Sequence, residues 1–306
     1  MILKFLSSRL FLIFLFPFIL GTLTVFSFQP FNLSYINFLI LPILFLLTVY
    51  TQKKSKNTYR KKPYLLNLFF IGYLFGVGFF LSGIHWISHS LTFDEIFKFL
   101  VPVAIIGLPI FLGLFFGLAN LIVGPFLKNN FTSIILFSSS FAFMDYVRAK
   151  ILSGFPWNIW AYTWSWKPEI LQSLFYIGFF SFNLLCIIIY CSPLLLIFKK
   201  RINFFLFFII SLLFFGNYIY GSSIIKKNDK NFIELNLNLE NSIYTKIISP
   251  SFDLKYNLSN DDLSENISNL IKYSEPDKIK KTLFIWPEGA FTGFNFEQIK
   301  EYRALF

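Results

Sequence analysis

From Leu10 to Gln52 the chain carries no charged residue. A bilayer-spanning helix needs about 20 apolar residues, so this stretch predicts two spans. The hairpin between them is Ser27–Ser34, where Pro30 and its polar neighbours break the apolar pattern. Five more apolar runs predict five further spans, at about 64–90, 99–127, 131–146, 170–198 and 202–225. Beyond 225 the pattern changes to that of an ordinary soluble sequence. Partial alternation predicts a strand over Asn231–Leu239. Leu263, Ile267, Leu270 and Ile271 recur at helical spacing and predict a helix over Asp261–Tyr273, with Ser259, Asn260 or Asp261 as its cap. Thr282–Trp286 reads as a buried strand that stops at Pro287, and a last helix starts near Phe296. The pattern therefore predicts two parts. Residues 1–225 form a polytopic α-helical membrane domain of about seven helices. Residues 226–306 form an α/β segment containing a strand–helix–strand unit.

Composition sharpens this picture. Of 306 residues, 56% are hydrophobic and only 14% are charged, against about 25% charged in soluble domains. The net charge of +11 sits largely in short clusters between apolar runs, chiefly Lys53–Lys62 and Lys199–Arg201. That distribution carries topology rather than nucleic-acid affinity. With Lys4 and Arg9 it puts the N-terminus and both clusters in the cytoplasm. Seven crossings then leave residues 226–306 outside. No small-residue cleavage site follows the first apolar run, so it reads as an uncleaved span.

Metal or redox chemistry has little to stand on. Cys186 and Cys191 share one apolar run and read as small membrane-helix residues. His85 and His89 lie four apart without a third ligand nearby, beside Trp86, and read as interfacial polar residues. No cofactor and no metal is expected. A transporter would carry charges inside its spans, and here only Asp145 does, near a span end. A non-catalytic polytopic membrane or transport protein is the alternative reading, and a membrane-anchored carbon–nitrogen hydrolase is another.

Two stretches carry candidate chemistry. The first is Leu283–Ala290, L-F-I-W-P-E-G-A, which ends a strand on a single carboxylate, Glu288. The ends of strands are where α/β folds place ligands. Between Trp286 and Phe291, Glu288 is expected to be partly desolvated and to act as a general base. The second stretch is an aromatic loop after Asp145 and Arg148, G-F-P-W-N-I-W-A-Y over Gly154–Tyr162, then Trp164 and Trp166. It reads as an outer segment in the headgroup layer. Trp157, Trp160 and Trp164 are expected to wall a route for lipid, and Arg148 and Lys150 to meet lipid phosphates.

Taken in order, three stretches resemble the apolipoprotein N-acyltransferase family. They are G-T-L-T-V-F-S-F-Q-P-F-N (Gly21–Asn32), G-V-G-F-F-L-S-G-I-H-W-I-S-H-S-L (Gly76–Leu91) and Gly154–Tyr162, with W-P-E at Trp286–Glu288 to follow. The resemblance implies a membrane domain joined to a periplasmic nitrilase-like domain, an αββα sandwich of which this chain carries only the start. It covers the front part of the family's length. It implies a bacterial inner membrane location and a Glu–Lys–Cys triad in which Glu288 is the glutamate. The Lys and Cys are expected beyond Phe306, so residues 1–306 alone are expected to be inactive. Tyr256 matches an aromatic position of the family on the domain's first loop. After Glu288 the chain departs from the family's Pro-containing tract, with Thr292 and Gly293 in its place. The implied partners are a phospholipid acyl donor and a diacylglyceryl-cysteine lipoprotein acceptor, with no nucleic acid, acting on a monomer.

The orientation is testable directly. A reporter fused after Lys230 is expected to be active only on the outer side of the membrane, and cytoplasmic activity contradicts the predicted topology.

Overall fold

The computed structural model describes residues 8–58, 63–152, 154–237, 243–252, 258–275 and 281–300. The chain divides into two compact units, residues 1–88 with 102–227, and residues 89–101 with 228–306.

The first unit is helical. Its main helices are α1 (Leu10–Ser27), α2 (Asn37–Thr58), α3 (Pro63–Gly83), α4 (Val101–Val123), α5 (Phe131–Lys150), α6 (Phe179–Cys191) and α7 (Arg201–Leu237). Among the described residues, six helical segments are long and apolar enough to cross a membrane. The helix α5, predicted as a further span, is formed but falls short of that apolarity. It carries Thr132, Ser133, Ser138, Ser139 and Ser140, with Asp145, Arg148 and Lys150 in its last turns. The predicted 170–198 span is broken. It runs as Pro168–Leu171, Leu174–Ile177 and α6, with Gly178 at φ +74° before α6 and Pro193 after it.

In lipid, helices gain little from burying apolar surface against one another, so association depends on close packing. Glycines on α3 provide it on two sides. A Cβ at Gly78 would collide with the Phe18 carbonyl of α1, and one at Gly21 of α1 with the Phe75 carbonyl of α3. On the other side a Cβ at Gly72 would collide with the Phe116 carbonyl of α4. Between these backbones lies an aromatic core of Phe75, Phe79, Phe80, Phe116, Phe137 and Phe141, all fully buried. Asn120 of α4 stitches the group together. It donates to the Leu68 carbonyl (2.7 Å) and accepts from Thr48 Oγ1 (3.1 Å). By contrast only 6% of the apolar window of α7 is buried, so that helix faces outward along most of its length.

In the second unit, β1 (Tyr244–Ile247) pairs in parallel with β2 (Thr282–Ile285), with Tyr244 opposite Thr282 and Ile247 opposite Ile285. The crossover carries α8 (Asn260–Ser274), and α9 (Phe296–Lys300) follows β2. Of the three candidate caps, Ser259 serves. Its Oγ accepts from Asp262 N (3.1 Å), while Asp262 Oδ2 accepts from Ser259 N (3.0 Å). This reciprocal pair satisfies two otherwise orphaned donors. Leu270 on the inner face of α8 packs with Ile248 and Ala290, against Phe252, Trp286 and Phe291.

The first predicted strand is corrected. Residues 231–237 continue α7, and the strand is Tyr244–Ile247 instead. No Gly or Pro occurs between Ser222 and Leu239, so extending a formed helix costs less than ending it and starting a strand. Local alternation loses to that cooperativity.

The glycine contacts generate a test. Gly72→Leu is expected to destabilise the detergent-solubilised chain by about 1–3 kcal/mol or to prevent folding. Gly216→Leu, where a Cβ meets nothing within 4 Å, is expected to leave the thermal midpoint unchanged. Equal effects of the two substitutions contradict the packing account.

Candidate functional site

The aromatic loop is built on the end of α5. Gly154, at φ +77°, turns the chain back, and its N–H reaches the Ile151 carbonyl (2.9 Å). Phe155 N then bonds to the Arg148 carbonyl (3.0 Å). Arg148 is 2% exposed. Its Nη2 donates to Asp145 Oδ1 (3.0 Å), and its Nη1 donates to the carbonyls of both Phe155 and Trp157 (2.7 Å each). The guanidinium lies over the Phe80 ring, 5.0 Å from its centroid. Asn183 of α6 closes the network, donating to Asp145 Oδ2 (3.0 Å) and accepting from Ala161 N (3.1 Å).

The three tryptophans part company. Trp157 is half exposed and lines a cleft of about 420 Å³ with Phe28, Gln29, Pro156, Asn158, Tyr162 and Ser165. Trp160 is fully buried, stacked on Phe79 with ring centroids 5.6 Å apart and planes 7° apart. Trp164 is buried against Tyr190 (5.8 Å, 9°) and borders a separate apolar cavity of about 330 Å³ with Phe182, Cys186 and Phe214. Arg148 was expected at the surface facing phosphates. It is instead sealed behind the loop, where two carbonyls and a carboxylate take its Nη donors while its Nε, also buried, has no partner among the described residues. Lys150 is exposed, its Nζ 6.0 Å from the centroid of the Phe180 ring.

Sequence reasoning passed over Asn183, Gln29 and Tyr162. An amide inside an otherwise apolar run was the available signal for Asn183, since polar groups at such depth need partners. Gln29 and Tyr162 gave no comparable signal, because their meeting depends on the helix packing that brings residues 28–29 to residues 156–165.

In the second unit, Glu288 stands just past the C-terminal end of β2, in a turn with Gly289 at φ +85°. A cleft of about 180 Å³ lies there, lined by Ser249, Pro250, Ser251, Phe252, Leu258, Asn266 and Pro287–Ala290. Asn266 Nδ2 holds the turn through the Ala290 carbonyl (3.2 Å). Ser251, at φ +55°, is the non-glycine residue of the cleft in the left-handed region, where conformational strain is commonly stored at functional sites. Glu288 is exposed rather than partly desolvated. The Trp286 indole is occupied elsewhere, donating to Ser274 Oγ of α8 (3.0 Å). Cys186 and Cys191 are fully buried in α6, so neither thiol is accessible. Tyr256 lies outside the described residues.

Comparison with known proteins agrees with the sequence resemblance. The family model for the apolipoprotein N-acyltransferase N-terminal domain matches residues 20–192, more than half of the 306. The apolipoprotein N-acyltransferase of Rickettsia prowazekii is 30% identical over 222 residues, covering 72% of this chain and 42% of that protein. That of Agrobacterium fabrum is 28% identical over 232 residues, 73% of this chain and 42% of that protein. That of Rhizobium etli is 36% identical over 128 residues, 42% of this chain and 24% of that protein. The matches thus span less than half the length of these relatives. The matched region contains the glycine-packed helices, the Asp145–Arg148 pair and the aromatic loop, so this membrane protein belongs to the apolipoprotein N-acyltransferase family.

Proposed function

We propose that the chain forms the membrane region and the first part of a nitrilase-like domain of an N-acyltransferase of bacterial lipoprotein maturation. The donor is a phospholipid and the acceptor is the α-amino group of a diacylglyceryl-cysteine lipoprotein. In this reading α5 is a seventh crossing, the N-terminus is cytoplasmic and residues 226–306 lie on the periplasmic side of the inner membrane. The protein acts as a monomer. The loop at Trp157 and Tyr162 receives the lipid, with Trp160 and Trp164 supporting it from behind.

The observation that carries the reading is the placement of Glu288. It is a carboxylate at the C-terminal end of a parallel strand, beside a cleft, in a chain of this family. Glu288 takes the proton of a cysteine thiol, and the thiolate attacks the acyl ester of the phospholipid. The lysophospholipid alkoxide leaves and takes a proton, and a thioester remains. The lipoprotein amine then attacks the thioester, forms the amide and returns the thiol. The carboxylate serves because a thiol is weak until deprotonated. A lysine placed at the oxyanion lowers the barrier further. Neither Cys186 nor Cys191 is that thiol, since both are enclosed in α6. Cover over Glu288 from further parts of the domain would supply the desolvation that the described residues do not.

General acid–base groups contribute about 10²–10⁴-fold. Glu288→Gln in the full-length context is therefore expected to lower acyl transfer by at least about 10²-fold, with unchanged expression and membrane insertion. Activity within about twofold of the unsubstituted protein contradicts the assignment.

A further inference from the structure

We infer that Asp145, Arg148 and Asn183 form a buried clamp whose work is to position the lipid-facing loop, with Arg148 as its positioning residue. The inference rests on the proposed reading of that loop as the phospholipid contact.

Three observations carry it. First, the clamp holds backbone rather than side chains. The single Nη1 of Arg148 takes the carbonyls of Phe155 and Trp157 at 2.7 Å each, and Asn183 Oδ1 takes the N–H of Ala161 at 3.1 Å. These three groups bracket Trp157 and Asn158, which line the 420 Å³ cleft. Second, the loop has few ties of its own at this point. Pro156 has no N–H to give, and Asn158, at φ +55°, takes the left-handed turn conformation that asparagine tolerates better than most side chains. Third, the charge is placed at high cost. Arg148 and Asp145 are each about 1% exposed in their side chains, and a buried ion pair is weak support for stability, since an apolar pair of similar volume often does as well. What an apolar pair cannot do is fix two carbonyls and an amide N–H at set positions. A guanidinium fork does this for the carbonyls through rigid planar donors, and the carboxylate orients the fork from one oxygen and Asn183 from the other.

The cleft that the loop lines draws on two distant segments. Phe28 and Gln29 lie in the break between α1 and α2, and Pro156–Ser165 follow α5. Next to them, a Cβ at Gly83 would run into the Asn158 side chain.

The test uses the 306-residue chain in phosphatidylethanolamine nanodiscs carrying a phospholipid with a photoactivatable acyl chain. Arg148→Lys keeps the charge but cannot reproduce the fork, and Asn183→Ala removes the Ala161 tie while leaving the Arg148 contacts. Hydrogen exchange over residues 154–165 is expected to quicken about tenfold in each variant, with α3 and α5 unchanged. Photolabelling of the same segment is expected to fall about fivefold, as the receptive pose becomes less populated. Exchange and labelling both equal to wild type in a folded variant overturn the clamp. Exchange that rises equally in α3, α5 and the loop also overturns it, as does failure of both variants to fold, because the network then serves the whole bundle. Locally faster exchange with no labelling of the loop even in the wild type upholds the clamp and refutes the loop as the lipid contact.

Discussion

A charged pair enclosed among apolar helices has to be answered group by group, and the rest of the first unit is arranged around that requirement. Asp145 and Arg148 sit one turn apart on α5, with both side chains removed from solvent. Removing one partner of such a pair leaves an uncompensated charge at a cost of about 3–5 kcal/mol. The chain meets most of the demand with backbone, leaving the Arg148 Nε without a partner among the described residues. The loop carbonyls at Phe155 and Trp157 accept the arginine donors, Phe80 offers a ring face, and Asn183 completes the carboxylate. The same contacts satisfy the loop carbonyls of Phe155 and Trp157 and the N–H of Ala161. Fold and candidate lipid surface are thus tied to one set of hydrogen bonds.

The helices around this centre achieve their closeness through glycine and their cohesion through aromatic rings. Gly21, Gly72 and Gly78 let carbonyls of neighbouring helices approach to where a methyl group would stand. The space that remains is filled by phenylalanine, which contributes large area and ring geometry without a polar atom to satisfy. Trp160 belongs to this filling, stacked on Phe79. Its neighbour Trp157, three residues earlier, belongs to the cleft.

Much of this was legible in the sequence because the signals were long or local. Charge-free runs of 20 residues or more mark helices whatever their neighbours are, and Pro30 marks the break after α1. The α8 cap was readable only to within Ser259, Asn260 and Asp261; the structure selects Ser259 through its exchange with Asp262. The Asn231–Leu239 strand misled because nine residues of weak alternation were set against a helix already running into them. Arg148 misled because burial is a tertiary fact: a lone arginine near a span end ordinarily faces headgroups, and only the returning loop encloses it. Glu288 was placed at a strand end from its own octapeptide, whereas its exposure depends on what packs over it. The division of Trp157, Trp160 and Trp164 between surface and core was not readable at all, since it follows from short helical turns over Trp160–Trp164.

We propose that this scaffold serves acyl transfer from a membrane phospholipid through a covalent intermediate. The most direct measurement is to incubate the full-length protein with a phospholipid bearing a tagged acyl chain, isolate the protein, and treat it with neutral hydroxylamine. The account expects a tagged protein whose label is released by hydroxylamine, as a thioester is. A protein that transfers the tag to lipoprotein without ever carrying it, or that carries it in a hydroxylamine-resistant bond, contradicts the account.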